Sequence, residues 1–157
     1  MTGQGVTESL AHSGKQGPHL PMSCRAIMTV DPVTLRTDDH VGLAAERLMA
    51  QRFIILPVVD AEGRYEGLFG VFELLRLLLP RGATVNHLLP DLRFMTDDLG
   101  ALQSHFGEMA GEPIGRHLRT DLPVLGPETP VIEALLQFYR NRTTLPVVEP
   151  ASRKLLG

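Results

Sequence analysis

Leu56-Pro57-Val58-Val59-Asp60 and Leu145-Pro146-Val147-Val148-Glu149 are the two stretches on which the fold turns. Each is a short apolar run closed by an acid, with the β-branched valines that suit a buried strand. The flanks match as well. When Val33-Thr34-Leu35 is placed over Pro123-Val124-Leu125, Asp39-His40-Val41 falls on Thr129-Pro130-Val131. An ordered series that returns about ninety residues later is a structural repeat.

Between flank and strand each copy carries an amphipathic helix. Apolar residues fall at Val41, Ala44, Ala45, Leu48 and Met49, then at Val131, Ala134, Leu135, Phe138 and Tyr139, both at helical spacing. Asp39 and Thr129 are the expected side-chain caps, and Pro130 suits a first helical position. After each strand come turn residues, Asp60-Ala61-Glu62-Gly63 and Glu149-Pro150-Ala151-Ser152. Tyr65-Glu66-Gly67-Leu68-Phe69 then reads as a return strand and residues 72–79 as a closing helix. In the second copy the sequence ends at Gly157, so the matching strand and helix are expected to be missing.

Residues 1–21 are rich in Gly, Ser, Gln and His and read as a flexible tail with no signal-peptide core. The first repeat is assigned to residues 22–80, a linker to 81–113 and the second repeat to 114–157. Within the linker, Thr96-Asp97-Asp98 is a capping signal, and Leu99, Leu102, Phe106 and Met109 form one stripe, ended by Gly111-Glu112-Pro113. An extra helix is predicted there. It either packs on the chain's own core or docks a partner.

Composition narrows the function classes. A net charge of −3, with Lys15 and Lys154 the only lysines, gives no basic surface for nucleic acid. The most apolar stretch, residues 68–79, is interrupted by Glu73 and Arg76 and falls short of the roughly twenty residues that span a bilayer. Cys24 is the sole cysteine, so neither an intrachain disulfide nor a cysteine-rich zinc site is available, and a cytoplasmic setting is expected. Cys24 reads as a small buried apolar residue. Asp38-Asp39-His40 lacks the further ligands of a metal phosphoesterase, and His105 with Glu108 supplies too few ligands for a metal. Phosphate loops and nucleophile elbows are absent, so an enzyme is not expected.

The order strand, helix, "Leu-Pro-Val-Val-Asp/Glu" strand, hairpin, "Gly-Leu-Phe" strand and closing helix, given twice, resembles the CBS-domain family, named for cystathionine β-synthase. The resemblance implies an α+β fold: two β-α-β-β-α repeats packed as a pseudo-twofold pair with two clefts, here with an extra linker helix. It also implies a regulatory module, with no cofactor required, that forms a homodimer. Its expected ligands are of the adenosine type, AMP, ADP, ATP or S-adenosylmethionine, and its expected target is an attached or partner enzyme, channel or transporter.

In nucleotide-binding members of that family the return strand leads into Gly, two apolar residues, Thr or Ser, two more residues, then Asp. Here the segment is Gly67-Leu68-Phe69-Gly70-Val71-Phe72-Glu73. Gly70 therefore stands at the phosphate-binding hydroxyl and Glu73 at the ribose acid, weakening phosphate contact and shifting the carboxylate. Glu73 reads equally as a solvated helix residue. The resemblance places the base near Thr34, Ile54, Ile55 and Pro57 in one repeat and Val124, Thr143 and Thr144 in the other. Arg142 is placed to reach an anion or to meet a helix dipole. Ile54 and Ile55 offer an apolar wall and Thr143 and Thr144 offer hydroxyls, so the two clefts should differ. The altered Gly70 and Glu73 keep open a second reading, a structural or dimerisation module without ligand.

Overall fold

The computed structural model describes residues 22–78 and 99–157. The expected tail and the capping signal at Thr96-Asp97-Asp98 lie outside the described residues. The first repeat runs β1 (Leu35–Arg36), α1 (Val41–Gln51), β2 (Ile55–Val59), β3 (Tyr65–Gly70) and α2 (Val71–Leu78). After it come α3 (Leu99–Met109) and α4 (Val131–Asn141), and short 3₁₀ turns at Cys24–Ala26 and Ile114–Arg116 open the two repeats.

The sheet has the order β1-β2-β3, with β1 parallel and β3 antiparallel to β2. A proline in a central strand needs a reason, because it cannot donate to the ladder. Pro57 lies opposite Leu68, whose own N–H and carbonyl bond to Arg119 and so ask nothing of β2. On its other side β1 pairs only with Val58 and Val59. The proline thus sits in the one gap the ladder offers. The turn that follows is held by Asp60, whose Oδ1 accepts the amides of Glu62 and Arg64, both at 2.9 Å. The amides and the Arg64 guanidinium outweigh desolvation and hold the Asp60 carboxyl below its ordinary value.

The second repeat repeats these pairings as single bridges. Leu125 lies parallel to Val147 as Leu35 does to Val58, and Val148 lies antiparallel to Leu155 as Val59 does to Tyr65. The return segment expected to be missing therefore begins within the chain. Val147 donates to the Gly157 carbonyl at 2.7 Å and Leu156 donates to the Val147 carbonyl at 2.8 Å, because the turn at Pro150–Ser152 brings the chain back.

The two repeats are locked by an exchange of their opening segments. Cys24 donates to the Thr129 carbonyl and Ile114 to the Asp39 carbonyl, each at 2.9 Å; Arg25 donates to Pro127 and Gly115 to Thr37. Ser23 bridges Pro130 as Pro113 bridges His40. This arrangement corrects the expected helix caps. The first amide of α1 donates to the Glu112 carbonyl and that of α4 to the Met22 carbonyl, and neither helix has a side-chain cap. Asp39 instead accepts from the Arg36 amide and the Arg47 guanidinium, and Thr129 from the Gly126 amide. A carbonyl from across the pair satisfies the orphan N–H that a side chain would otherwise take.

The cores follow the exchange. Leu35, Val41, Ala44, Leu48, Leu56, Val58 and Phe69 of the first repeat close around Ile114 of the second. Leu125, Ala134 and Val147 of the second close around Cys24 of the first, which is buried as expected. Tyr65, Leu68, Leu122 and Val148 form a third cluster where the repeats join. There Tyr65 donates to the Arg153 carbonyl and Leu155 to the Gly63 carbonyl, a reciprocal pair on either side of the Arg64–Lys154 bridge. Gly63 and Arg153 both take positive φ at these matched turns.

The predicted extra helix is present as α3, and it packs on its own chain. Phe106 rests against the first core, His105 Nδ1 lies 3.2 Å from the Leu78 carbonyl, and Ala110 accepts the Gly42 amide. The expected helix is present as α4, but most of its apolar stripe is uncovered. Only Ala134 is buried, and Leu135, Phe138 and Tyr139 remain exposed, since no described element covers that face. Among the described residues no helix is long and apolar enough to cross a membrane.

Candidate functional site

The chain crosses itself between the repeats and leaves a cavity of about 540 Å3. One wall is the irregular segment that follows the Cys24–Ala26 turn, with Ile27, Met28, Thr29, Asp31, Pro32 and Val33. Phe53, Ile55, Leu56 and Pro57, with Leu68, supply a second wall from the first repeat. The third comes from the second repeat: Leu125, then Ala134, Leu135 and Phe138 on α4, then Thr144 to Val147 and Gly157. An apolar cleft with few polar groups is the usual form of a small-molecule site.

Its floor is explained by the pseudo-symmetry. In the first repeat the residues matching Leu125, Ala134, Phe138 and Val147 are Leu35, Ala44, Leu48 and Val58, and Leu74 and Leu77 of α2 pack over them. In the second repeat no described helix does so, and those side chains line the opening. Gly157 lies so close to Met28 and Thr29 that an added Cβ would fall 2.7 Å from the Thr29 carbonyl oxygen. Gly67 makes the matching approach to Leu118 and Arg119. Both glycines are there because the other repeat's opening segment crosses over them.

Of the sequence-predicted site residues, the cavity gathers Ile55, Pro57 and Thr144. The others lie elsewhere. Thr34 is half-buried just before β1, and Ile54 is 67% exposed, its carbonyl accepting the Val71 amide at 2.9 Å. Val124 lines a second, smaller cavity of about 300 Å3 beside Tyr65 and Arg153. Thr143 is half-buried outside the main cavity. Arg142 ends α4 in the left-handed conformation, its amide on the Phe138 carbonyl, with an exposed side chain.

Gly70 and Glu73 stand together where β3 enters α2. A Cβ at Gly70 would overlap the Ile54 carbonyl oxygen and touch Ile55, so the glycine answers to the chain's own backbone. Glu73 is not the solvated residue that one reading allowed. It is 5% exposed, and its Oε2 has no hydrogen-bond partner among the described residues. A buried, unpaired carboxylate oxygen is unusual enough to need an explanation.

The electrostatics of the main cavity are one-sided. Asp31, with φ at 51°, is the only charged residue among the described lining. Burial, then the nearby Glu133 carboxylate, pushes the Cys24 thiol above its ordinary value. No cluster of His, Cys, Asp and Glu able to hold a metal occurs among the described residues. Sequence reading missed the wall at residues 27–33, which has no periodicity to read.

Two like units joined about a pseudo-twofold axis, each completing the other's core and sharing a cleft, define a paired-repeat module. The chain belongs to the CBS domain family, whose model matches residues 24–80 and 114–157, and it is a tandem CBS pair. Solved structures share the fold. CBSX2 of Arabidopsis thaliana, solved in complex with AMP, is 21% identical with a TM-score of 0.62 over 87% of this chain and 88% of that one. A CBS domain-containing protein of unknown function from Kribbella flavida is 22% identical, TM-score 0.65, over 87% and 91%. The CBS domain pair of MJ0100, in complex with 5′-methylthioadenosine and S-adenosyl-L-methionine, is 15% identical, TM-score 0.57, over 87% and 88%. No curated protein matches the chain.

Proposed function

We propose that this CBS pair is a regulatory module that holds an adenosine-type ligand in the inter-repeat cleft and controls an attached or partner protein. The observation that carries the proposal is the cavity itself, about 540 Å3, walled by both repeats and containing the frame positions Ile55, Pro57 and Thr144. Neighbours of the same fold hold AMP, 5′-methylthioadenosine or S-adenosylmethionine. A ligand seated between two repeats favours one relative packing over another by its difference in affinity for the two, which is all a regulatory signal requires.

The test is thermal unfolding with AMP, ADP, ATP and S-adenosylmethionine. A ligand at a hundred times its Kd adds about 2.7 kcal/mol of stability, which raises the Tm. No shift from any of the four at millimolar concentration refutes the proposal.

A second reading, a dimerisation module without ligand, draws support from α4. Ile132, Leu135, Leu136 and Tyr139 are spaced to share one helix face and are all more than half exposed. Sedimentation equilibrium distinguishes the two readings: concentration-dependent dimers abolished by Leu136→Glu, with no ligand-induced Tm shift, favour this one.

A further inference from the structure

The smaller cavity, about 300 Å3, lies at the turn end of the second repeat's strands and shares only Leu125 with the main cleft. Tyr65 of the first repeat closes one side of it, and Glu149 and Arg153 of the second bring opposite charges to its lining. We infer that this cavity binds a small zwitterion, an α-amino acid with an aliphatic side chain, with Arg153 on its carboxylate and Glu149 on its ammonium. The site is separate from the adenosine-type reading above and does not depend on it.

Comparison of the two repeats explains both the space and the charge. The place of Gly126 is held in the first repeat by Arg36, whose guanidinium folds back on Asp38. At Gly126 an added Cβ would make only ordinary contacts, 3.6 Å from Thr129 Oγ1 and 3.8 Å from Pro150, so packing does not demand a glycine there. Its effect is to leave the cavity open. Arg153 shows the reverse exchange. Its mate is Gly63, and both take the left-handed conformation, which glycine adopts without cost and arginine does not. Arg153 nonetheless sits there at a φ of 59°, and its Nη2 reaches across the pair to the Tyr65 carbonyl at 3.1 Å. Among the described residues this is the one hydrogen bond its side chain makes, so the guanidinium is held at the cavity with donors to spare.

Glu149 completes the arrangement. Its mate Asp60 is engaged by its own turn, accepting the amides of Glu62 and Arg64 and the Arg64 guanidinium. In the second turn Ser152 Oγ accepts the Lys154 amide instead. The half-buried Glu149 makes no side-chain hydrogen bond or ion pair among the described residues, Arg153 included. A cation and an anion that line one cavity without pairing are satisfied together by a ligand that carries both charges. A simple carboxylate would meet Glu149 and a simple amine would meet Arg153, each with repulsion. The apolar surface of Val124, Leu125 and Val148 suits an aliphatic side chain, and the volume, at the low end for small-molecule sites, suits a single amino acid.

Proton–nitrogen NMR titration of the 157-residue chain with L-leucine tests this, with 4-methylpentanoate and 3-methylbutylamine as analogues that lack the ammonium and the carboxylate. Leucine should shift the amides of Tyr65, Gly126 and Arg153 saturably. Each analogue should bind at least about threefold more weakly, the scale of one partly exposed ion pair. Arg153→Gly gives the turn the residue its mate uses, so the fold is kept, and it should weaken leucine by a similar factor. Gly126→Val fills the cavity and should abolish the shifts while leaving the circular dichroism unchanged. The inference is overturned by the absence of a saturable shift at tens of millimolar leucine, by 4-methylpentanoate binding as tightly as leucine, or by unchanged leucine affinity in Arg153→Gly. Shifts centred on Met28 and Thr144 would place leucine in the main cleft and overturn the location. The adenosine-type reading stands or falls separately, on the thermal unfolding described above.

Discussion

Glu73→Met exchanges a buried carboxylate for an apolar side chain of similar length and flexibility. In the folded protein Glu73 is 5% exposed, and its Oε2 has lost water without gaining a donor among the described residues. Such an orphaned group costs about 1–3 kcal/mol. Against this stands its place in the first turn of α2, where a negative charge meets the positive end of the helix and contributes about 0.3–1 kcal/mol. The cost of the orphaned oxygen exceeds the gain from the helix end, so the variant should be more stable by about 1–2 kcal/mol, or a Tm gain of about 2–8 °C for a chain of this size. Urea unfolding followed by circular dichroism measures it, with Glu73→Gln as the control that removes charge but keeps a polar group. Glu73→Gln should gain less than the methionine variant, because its amide is still polar and still buried. A loss of 1 kcal/mol or more in Glu73→Met would mean that Oε2 is hydrogen-bonded in solution, which would refute its orphaned state.

Four further outcomes follow from the same packing. Gly70→Ala places a Cβ against the Ile54 carbonyl oxygen, a backbone atom that cannot rotate away, and should cost about 1–3 kcal/mol in urea unfolding. Ile114→Ala removes a fully buried side chain that the second repeat lends to the first, and should cost about 2–5 kcal/mol while keeping a single unfolding transition. Burial pushes the Tyr65 phenol up to about 12, so its contribution is complete below the ordinary value of 10.0 and is lost as pH rises towards 12. Tyr65→Phe should therefore lose less stability than the parent protein between those pH values. Asp60 has the opposite sign: its folded pKa is depressed, so the stability it confers is present above 3.8 and lost as pH falls through the lower folded value. The stability gap between the parent protein and Asp60→Asn should close on acidification.

Much of the fold was legible because local chemistry and tertiary structure agree there. The valines of β2, the Asp60–Gly63 turn and the stripe of α1 each serve the element they occupy, and their pattern shows it. The helix caps were misread for a physical reason. Asp39 and Thr129 have the right chemistry at the right place, but carbonyls contributed by Met22 and Glu112 arrive from across the pair and leave them other work. Nothing local announces a partner that distant in sequence. The α4 stripe shows the converse, since periodicity reports which residues share a face and not whether anything covers it. As for the site, Ile55, Pro57 and Thr144 were accessible through the repeat. The wall at residues 27–33 was not, because an irregular segment held by its main chain leaves no side-chain rhythm.

The exchange of opening segments sets the order in which the chain can fold during its synthesis. The first repeat's sheet and both of its helices are made well before Ile114, yet the core they surround closes only on that residue. At about 5–20 residues per second, the ribosome needs about 4–16 s to pass from β1 to Ile114. Through that interval the faces of Leu35, Leu48 and Phe69 are made but have not received their last side chain. The nascent first half is thus an apolar surface awaiting its lid, a natural client for a chaperone. A stop codon or ribosomal pause placed between α2 and Ile114 should expose it, seen as aggregation or chaperone capture of the stalled chain and as solubility once synthesis continues through Ile114.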